Sequence, residues 1–219
     1  MKILFLRVGI DRGCGGTLSP RFANGTFEYV PIPESSALLA GKGVSYPELP
    51  ARHGGTLDKY SGSPGYTHYD PEFETFTYGE PSEPKRSQLL RLTAGDKLVF
   101  YSGFQGPEIA RGTCFAIGYL TVRAVHRAPM NEPWPPTSLA HLHRNAHFRR
   151  KNPEATLVVV EGEPSNSLLF TNALKLSDGN QRVLADIESV VGFGGSVMRA
   201  VGRWVPDSHI NKAIQWLQS

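Results

Sequence analysis

No long helix or strand fits between residues 35 and 69, because Gly41, Gly43, Pro47, Pro50, Gly54, Gly55, Gly62, Pro64 and Gly65 interrupt every stretch. Glycine frees the backbone, while proline fixes φ and removes a donor. The same punctuation runs through the whole chain, with 23 glycines and 17 prolines in 219 residues. That density points to long ordered loops rather than a compact helical bundle. A loop as long as 35–69 within a compact domain is a lid, a binding loop or a disordered segment. Tyr46, Tyr60, Tyr66 and Tyr69 argue against simple disorder, since disordered linkers are poor in aromatics.

Between the breakers, short apolar runs stand out. Residues 3–6 are apolar without helical spacing, which predicts a buried strand. Gly9, Gly13, Gly15 and Gly16 then open a loop holding Arg7, Asp11, Arg12, Cys14, Thr17 and Ser19. Asn24-Gly25 predicts a hairpin turn that returns the chain as a strand over 27–30, ended by Pro31 and Pro33. Residues 73–78 alternate as a strand does. Ser82 is placed to cap a helix with Pro84 in its first turn. Residues 97–101, 114–125 and 156–160 predict strands, and 182–191 and 208–217 have helical spacing. Residues 129–136 form a proline-rich loop, after which Thr137 or Ser138 can cap a short helix through Leu139 and Leu142. Residues 165–176 admit no assignment. The fold class is therefore α+β: a mostly antiparallel, barrel-like sheet with several helices and long ordered loops. It is read as a single domain over 1–219, with a C-terminal helical segment from about 180.

Composition narrows the functional classes. No apolar run approaches the roughly 20 residues that cross a bilayer, and no signal-peptide pattern opens the chain, so the expectation is a cytoplasmic protein without a membrane partner. Cys14 and Cys114 fit free thiols in a reducing compartment. The net charge of +3 is compatible with nucleic acid without requiring it. Its distribution is more telling: Arg144, Arg149, Arg150 and Lys151 cluster with His141, His143 and His147, and Arg199 lies near Arg203. Oligomeric state is not legible.

Each chemical candidate has a plain structural counterpart. Asp11, between glycines after a buried strand, suits a general base or a hold on a base or sugar hydroxyl. It equally suits a turn aspartate bonded to its own backbone. Arg7 and Arg12 can meet phosphate beside an anion nest of glycine N–H groups, or Arg7 can clamp Asp11 or Asp70. Cys14 near Arg12 invites a nucleophile reading, though a lone cysteine in a glycine loop is more often inert. His141, His143 and His147 have metal-ligand spacing, but the neighbouring cations oppose a metal, and none is assigned; a phosphate-contacting surface fits better. Ser196 can start a helix whose N-terminus receives a phosphate alongside Arg199, and Arg203-Trp204 offers charge and a stacking face. The structural alternative there is a glycine hinge with Trp204 in the core. No dinucleotide motif, P-loop or Cys-x-x-Cys is present, so no cofactor is expected.

The opening resembles the nucleotide modification associated domain 3 family. The resemblance is carried by Arg7, Gly9, Ile10, Asp11, Gly15, Gly16, Ser19, Pro20, Asn24, Gly25, Pro31 and Pro33, and again by His68 with Asp70-Pro71 and loosely around His147. Val8, Arg12 and Cys14 depart from the family pattern. The segments 97–101 and 114–125 are also similar to the central hairpin of PUA-like barrels, the group of ASCH, EVE and YTH domains. The first resemblance implies a role in DNA or nucleotide modification, with nucleotide or nucleic acid, and other DNA-modification proteins, as partners. Taken with the residue-level candidates above, the expected site has Asp11, Asp70 and His68 as catalytic residues, and Arg7, Gly15, Gly16, Ser19, Tyr101, His147, Arg149, Arg199 and Arg203 binding substrate or phosphate. Three readings stay open: an acid–base enzyme, a non-catalytic reader of modified bases, and a scaffold for modification enzymes.

Overall fold

The computed structural model describes residues 1–41, 43–128, 137–152, 154–199 and 201–219. The expected proline-rich loop 129–136 lies outside the described residues.

In chain order the strands are β1 (Ile3–Arg7), β2 (Ser19–Pro20), β3 (Ile32–Glu34), β4 (Val44–Ser45), β5 (Tyr66–His68), β6 (Thr77–Glu80), β7 (Lys97–Gln105), β8 (Thr113–Arg127), β9 (Val158–Gly162), β10 (Leu168–Lys175) and β11 (Arg203–Trp204). The α-helices are α1 (Asp58–Ser61), α2 (Lys85–Leu89), α3 (Ala185–Val191) and α4 (Ile210–Leu217). The large sheet runs β11-β1-β7-β8-β9-β6, with β10 on β8 and β2 on β7. Among the described strands, only β1 and β2 pair in parallel, both with β7. The sheet is thus mostly antiparallel, as expected. Among the described residues no pairing joins its ends, so the expected barrel does not close.

The long β7 and β8 are its spine. Ile3, Leu4, Phe5 and Leu6 are fully buried, as a strand in parallel pairing with both faces covered requires. The C-terminal segment covers β1: Phe193 meets the Phe5 ring edge-on at 5.2 Å and Trp216 stacks on it at 6.3 Å. Ile187 and Val191 of α3 and Ile210, Ala213 and Leu217 of α4 join the same core.

The described residues of the turn-rich stretch 35–69 pack around a second core of Ile10, Val30, Tyr46, Leu49, Ala51 and Leu57. The Tyr46 hydroxyl donates to the Pro31 carbonyl at 2.8 Å beneath it. Over this core lies a small sheet, β3-β5-β4. Pro33 sits inside β3, where it had been expected to end a strand. β3 is an edge strand, and there a missing donor can face away from the ladder.

Several local expectations shift. The Asn24-Gly25 turn forms, with Phe22 N–H donating to Thr26 O at 2.8 Å and Arg21 bridging Phe27. Residues 28–30 are no regular strand, because Val30 N–H donates to the Ser19 hydroxyl instead of a ladder carbonyl. Residues 72–77 close a turn through reciprocal Glu72 and Thr77 backbone bonds, with Phe76 at φ 59°, so β6 starts only at Thr77. Ser82 offers its carbonyl to Arg86 N–H rather than a side-chain cap, and α2 begins at Lys85. Ser196 begins no helix; it bridges Arg182, and its carbonyl accepts from Arg203.

Candidate functional site

Three buried side chains from two distant segments, His68 and Asp70 from one and His147 from the other, converge where the small sheet meets the large one. His68 ends β5. The register pairs Ile32 with His68, so Glu34, two residues along β3, lies on the same face. Its carboxylate accepts from His68 Nδ1 at 2.9 Å. Two residues beyond His68, Asp70 is fixed by β6: Gly79 N–H donates to both carboxylate oxygens at 3.0 Å. Asn145 Nδ2 donates to Asp70 Oδ1 at 2.8 Å. Asn145 also caps the single 3-10 turn Ala146–Arg149, its Oδ1 accepting from His147 N–H at 3.1 Å. One fully buried amide thus holds Asp70 and sets the turn that delivers His147.

His147 mirrors His68. Its Nδ1 faces Glu154 Oε2 at 2.8 Å and its Nε2 faces Asp70 Oδ2 at 3.5 Å. The Nε2 of His68 lies 4.0 Å from the same oxygen, and the two imidazoles meet edge to face with centroids 4.6 Å apart. Arg150 then ties the two outer carboxylates together. Its Nη2 pairs with Glu34 Oε2 at 2.8 Å and its Nη1 with Glu154.

The electrostatics follow from that network. Burial by itself would raise the Glu34 carboxyl, but hydrogen bonds from His68 and Arg150 outweigh it and hold the group down at about 2. Glu154 is also lowered, burial being overcome by His147 and Arg150. Both carboxylates are therefore acceptors, which places a proton on each imidazole Nδ1. For His147, burial opposes the imidazolium, yet Asp70 and Glu154 raise it to about 9.

This cluster lines a cavity of about 340 Å³ that also includes Arg7, Asp11, Cys14, Tyr78, Glu80 and Lys85. Asp11 and Asp70 thus open on one cavity, although 59 positions separate them in sequence. A neighbouring cavity of about 390 Å³ shares Arg7 and Asp11 and adds Arg12, Arg111, Asn180 and Gln181. Arg7 is the partition. Its guanidinium donates to Gln181 Oε1 at 2.9 Å and Met198 O at 2.8 Å, and stands 3.7 Å from Asp11 Oδ2.

Other expected site residues have different tasks. Asp11 Oδ1 accepts from Gly13 N–H at 2.8 Å, the turn geometry its sequence context allowed. The glycine nest does not form around an anion, because the Cys14 and Gly16 N–H groups both donate to the Asp11 carbonyl. Gly15 and Gly16 instead make the turn, at φ 92° and 77°. Ser19 is fully buried and bonded to Val30 N–H. Tyr101 is buried and donates to Val197 O at 3.2 Å, away from the cluster. Arg149 donates to Arg144 O, Arg203 to Ser196 O, and Arg199 is exposed on the C-terminal segment; none of them lines either cavity. Burial and the nearby Asp11 charge raise the Cys14 thiol, which counters the thiolate reading.

The 141–147 histidines also part company. His141 faces Glu161 at 3.0 Å, His143 meets the Phe148 ring, and only His147 turns inward. The basic loop is partly neutralised: Arg150 serves Glu34 and Glu154, and Arg144 lies 3.6 Å from Glu74 at the surface. Glu34, Asn145 and Glu154 were not anticipated from sequence.

The family model for nucleotide modification associated domain 3 matches residues 2–212, so the chain belongs to that family. No curated protein and no solved structure matches it.

Proposed function

We propose that this member of the nucleotide modification associated domain 3 family is an enzyme that acts on a nucleotide or a nucleic-acid base in the double cavity divided by Arg7 and Asp11. The observation that carries this reading is the buried convergence of His68, Asp70 and His147 on one cavity floor. Side chains of this kind, withdrawn from water and fixed by further hydrogen bonds, are what positioned proton transfer or electrostatic catalysis needs. The adjoining cavity, with Arg7, Arg12 and Arg111, is suited to phosphate oxygens.

A reader of modified bases would call for an aromatic cage. Among the described residues, Tyr78 is the one tyrosine on the cluster's cavity and no Trp or Phe lines it; the Tyr78 ring packs against Phe100 with its hydroxyl on Glu80. That favours chemistry over recognition alone. In this reading Asp11, at the rim and tied to Arg7, positions the substrate, and the buried trio acts on it.

The test is a calorimetric binding series with nucleosides, nucleoside monophosphates and short oligonucleotides, on wild type and on Arg111→Ala. Phosphorylated ligands should bind more tightly than the bare nucleoside, and the variant should narrow that gap. Equal affinity across the series, or no binding by a folded protein, would sink the proposal.

A further inference from the structure

We infer that His68, Asp70 and His147 form a binding site for one divalent first-row transition-metal ion, with the two imidazole Nε2 atoms and a carboxylate oxygen as protein ligands. The three donor atoms lie within 4.8 Å of one another, and Asp70 Oδ2 is 3.5 Å from one Nε2 and 4.0 Å from the other. Bonds of about 2.1 Å at tetrahedral angles set ligand atoms about 3.4 Å apart. Asp70 Oδ2 already stands at that spacing from His147 Nε2 and about 0.6 Å beyond it from His68 Nε2, and the two imidazoles, within 4.8 Å of one another, need to close by at most about 1.4 Å, a movement of side chains alone.

The surroundings are what make this a built site rather than a chance meeting of polar groups. Each histidine Nδ1 is held by its own carboxylate, Glu34 or Glu154, at 2.9 and 2.8 Å. This carboxylate–histidine pairing fixes the tautomer and turns the Nε2 lone pair inward. The ligand side chains are 8%, 2% and 5% exposed for His68, Asp70 and His147, so their orientation does not depend on solvent. Charge counts the same way. Once a metal displaces the proton on His147 Nε2 that Asp70 faces in the metal-free site, the Glu34, Asp70 and Glu154 carboxylates face the single Arg150 guanidinium, an excess of two negative charges that a divalent ion cancels.

Two imidazoles and one carboxylate suit Zn(II), Fe(II), Co(II) or Mn(II), whereas Mg(II) and Ca(II) prefer all-oxygen sets and Cu(I) prefers sulfur. Three protein ligands leave coordination positions toward the cavity for water or a substrate oxygen, as in catalytic rather than structural sites. What such an ion would do to a base rests on the function proposed above; its binding does not.

The experiment begins with metal-free protein titrated separately with Zn(II), Co(II), Fe(II) under argon, and Mn(II). Stoichiometry is read by elemental analysis after gel filtration, and the Co(II) form is also read by its visible ligand-field bands and by X-ray absorption. One ion per chain is expected, in a shell of two imidazole nitrogens plus oxygens. His68→Ala and His147→Ala should abolish binding, while Glu34→Gln should weaken it about 10–100-fold. Should the alanine variants fail to fold, the X-ray absorption of the wild type decides. A shell with sulfur, or with a number of imidazoles other than two, overturns the assignment. So does folded wild type that retains no ion, or folded alanine variants that bind as tightly as wild type. Nucleotide binding without metal binding would sink this inference alone; the reverse would sink only the proposed function.

Discussion

The ring of His147 occupies the space that a side chain at Gly79 would fill: a Cβ there would stand 2.4 Å from His147 Cδ2. The same Gly79 donates its N–H to Asp70, so one residue of β6 supports two members of the buried trio. Gly79→Ala must displace the imidazole, since the obstruction is a ring fixed by Glu154 rather than the end of a flexible chain. The expected cost is about 1–3 kcal/mol in urea denaturation. Metal affinity should fall far more than at a control such as Gly41→Ala, where the added Cβ meets nothing within 4 Å and the backbone is not left-handed. Equal effects at both positions would remove Gly79 from the site.

Arg150 supplies the second prediction. Removing it leaves Glu34, with a side chain 4% exposed, and Glu154 without their shared cation, each held only by its histidine. Breaking a fully buried ion pair costs about 3–5 kcal/mol, and the partial exposure of Arg150 and Glu154 reduces that to about 2–3 kcal/mol for Arg150→Met. Glu34→Gln in the same background should cost much less than it does alone, because the two share one network. Strict additivity in the double-mutant cycle would show that the clamp is not coupled.

The uneven legibility of this molecule in its sequence has physical causes. β1, β7, β8 and β9 could be read because continuous apolar runs become strands wherever both faces are covered. Their ends could not, since Arg127 and Gln105 extend β8 and β7 through ladder bonds that any side chain permits. His68 and Asp70 were singled out through the family resemblance around His68 and Asp70-Pro71. Glu34, Asn145 and Glu154 were invisible: each owes its role to a neighbour far along the chain or to a turn, and no spacing rule connects Glu34 to Arg150. The local density of arginines and histidines around 141–151 pointed to a phosphate surface, but acidic partners from β9, β3 and the 72–77 turn neutralise part of it. Gly15 and Gly16 suggested an anion nest because glycine content shows where the backbone can turn, not which carbonyl its N–H groups will meet.

A pH dependence follows from Glu161. On β9 its carboxylate meets His126 at 2.8 Å and His141 at 3.0 Å, and Arg123 stands 3.5 Å away. Burial raises this carboxyl, but the two histidines more than reverse it, so its pKa lies below the ordinary 4.5. A depressed folded-state value means the stabilisation is fully present above about 4.5 and is lost as pH falls through the folded-state value. Glu161→Gln should therefore flatten the acid limb of a stability–pH curve, with wild type and variant converging toward low pH. A constant difference between the two curves from neutral pH down would contradict the assignment.

The last prediction separates the two basic regions. Arg12 and Arg111 line the outer cavity and are exposed, whereas Arg144 is 3.6 Å from Glu74 and Arg150 is committed to Glu34 and Glu154. A cation that already faces a carboxylate releases few counterions when phosphate arrives, because its charge is largely compensated beforehand. On a single-stranded oligonucleotide, Arg12→Ala and Arg111→Ala should each flatten the dependence of log K on log salt by about 0.7. Arg144→Ala should leave that slope nearly unchanged. The measurement is a fluorescence-anisotropy titration at four salt concentrations, with intact folding checked by thermal melts. A slope that drops for Arg144→Ala but not for Arg12→Ala or Arg111→Ala would move the phosphate path to the histidine loop and leave the outer cavity without a role in binding.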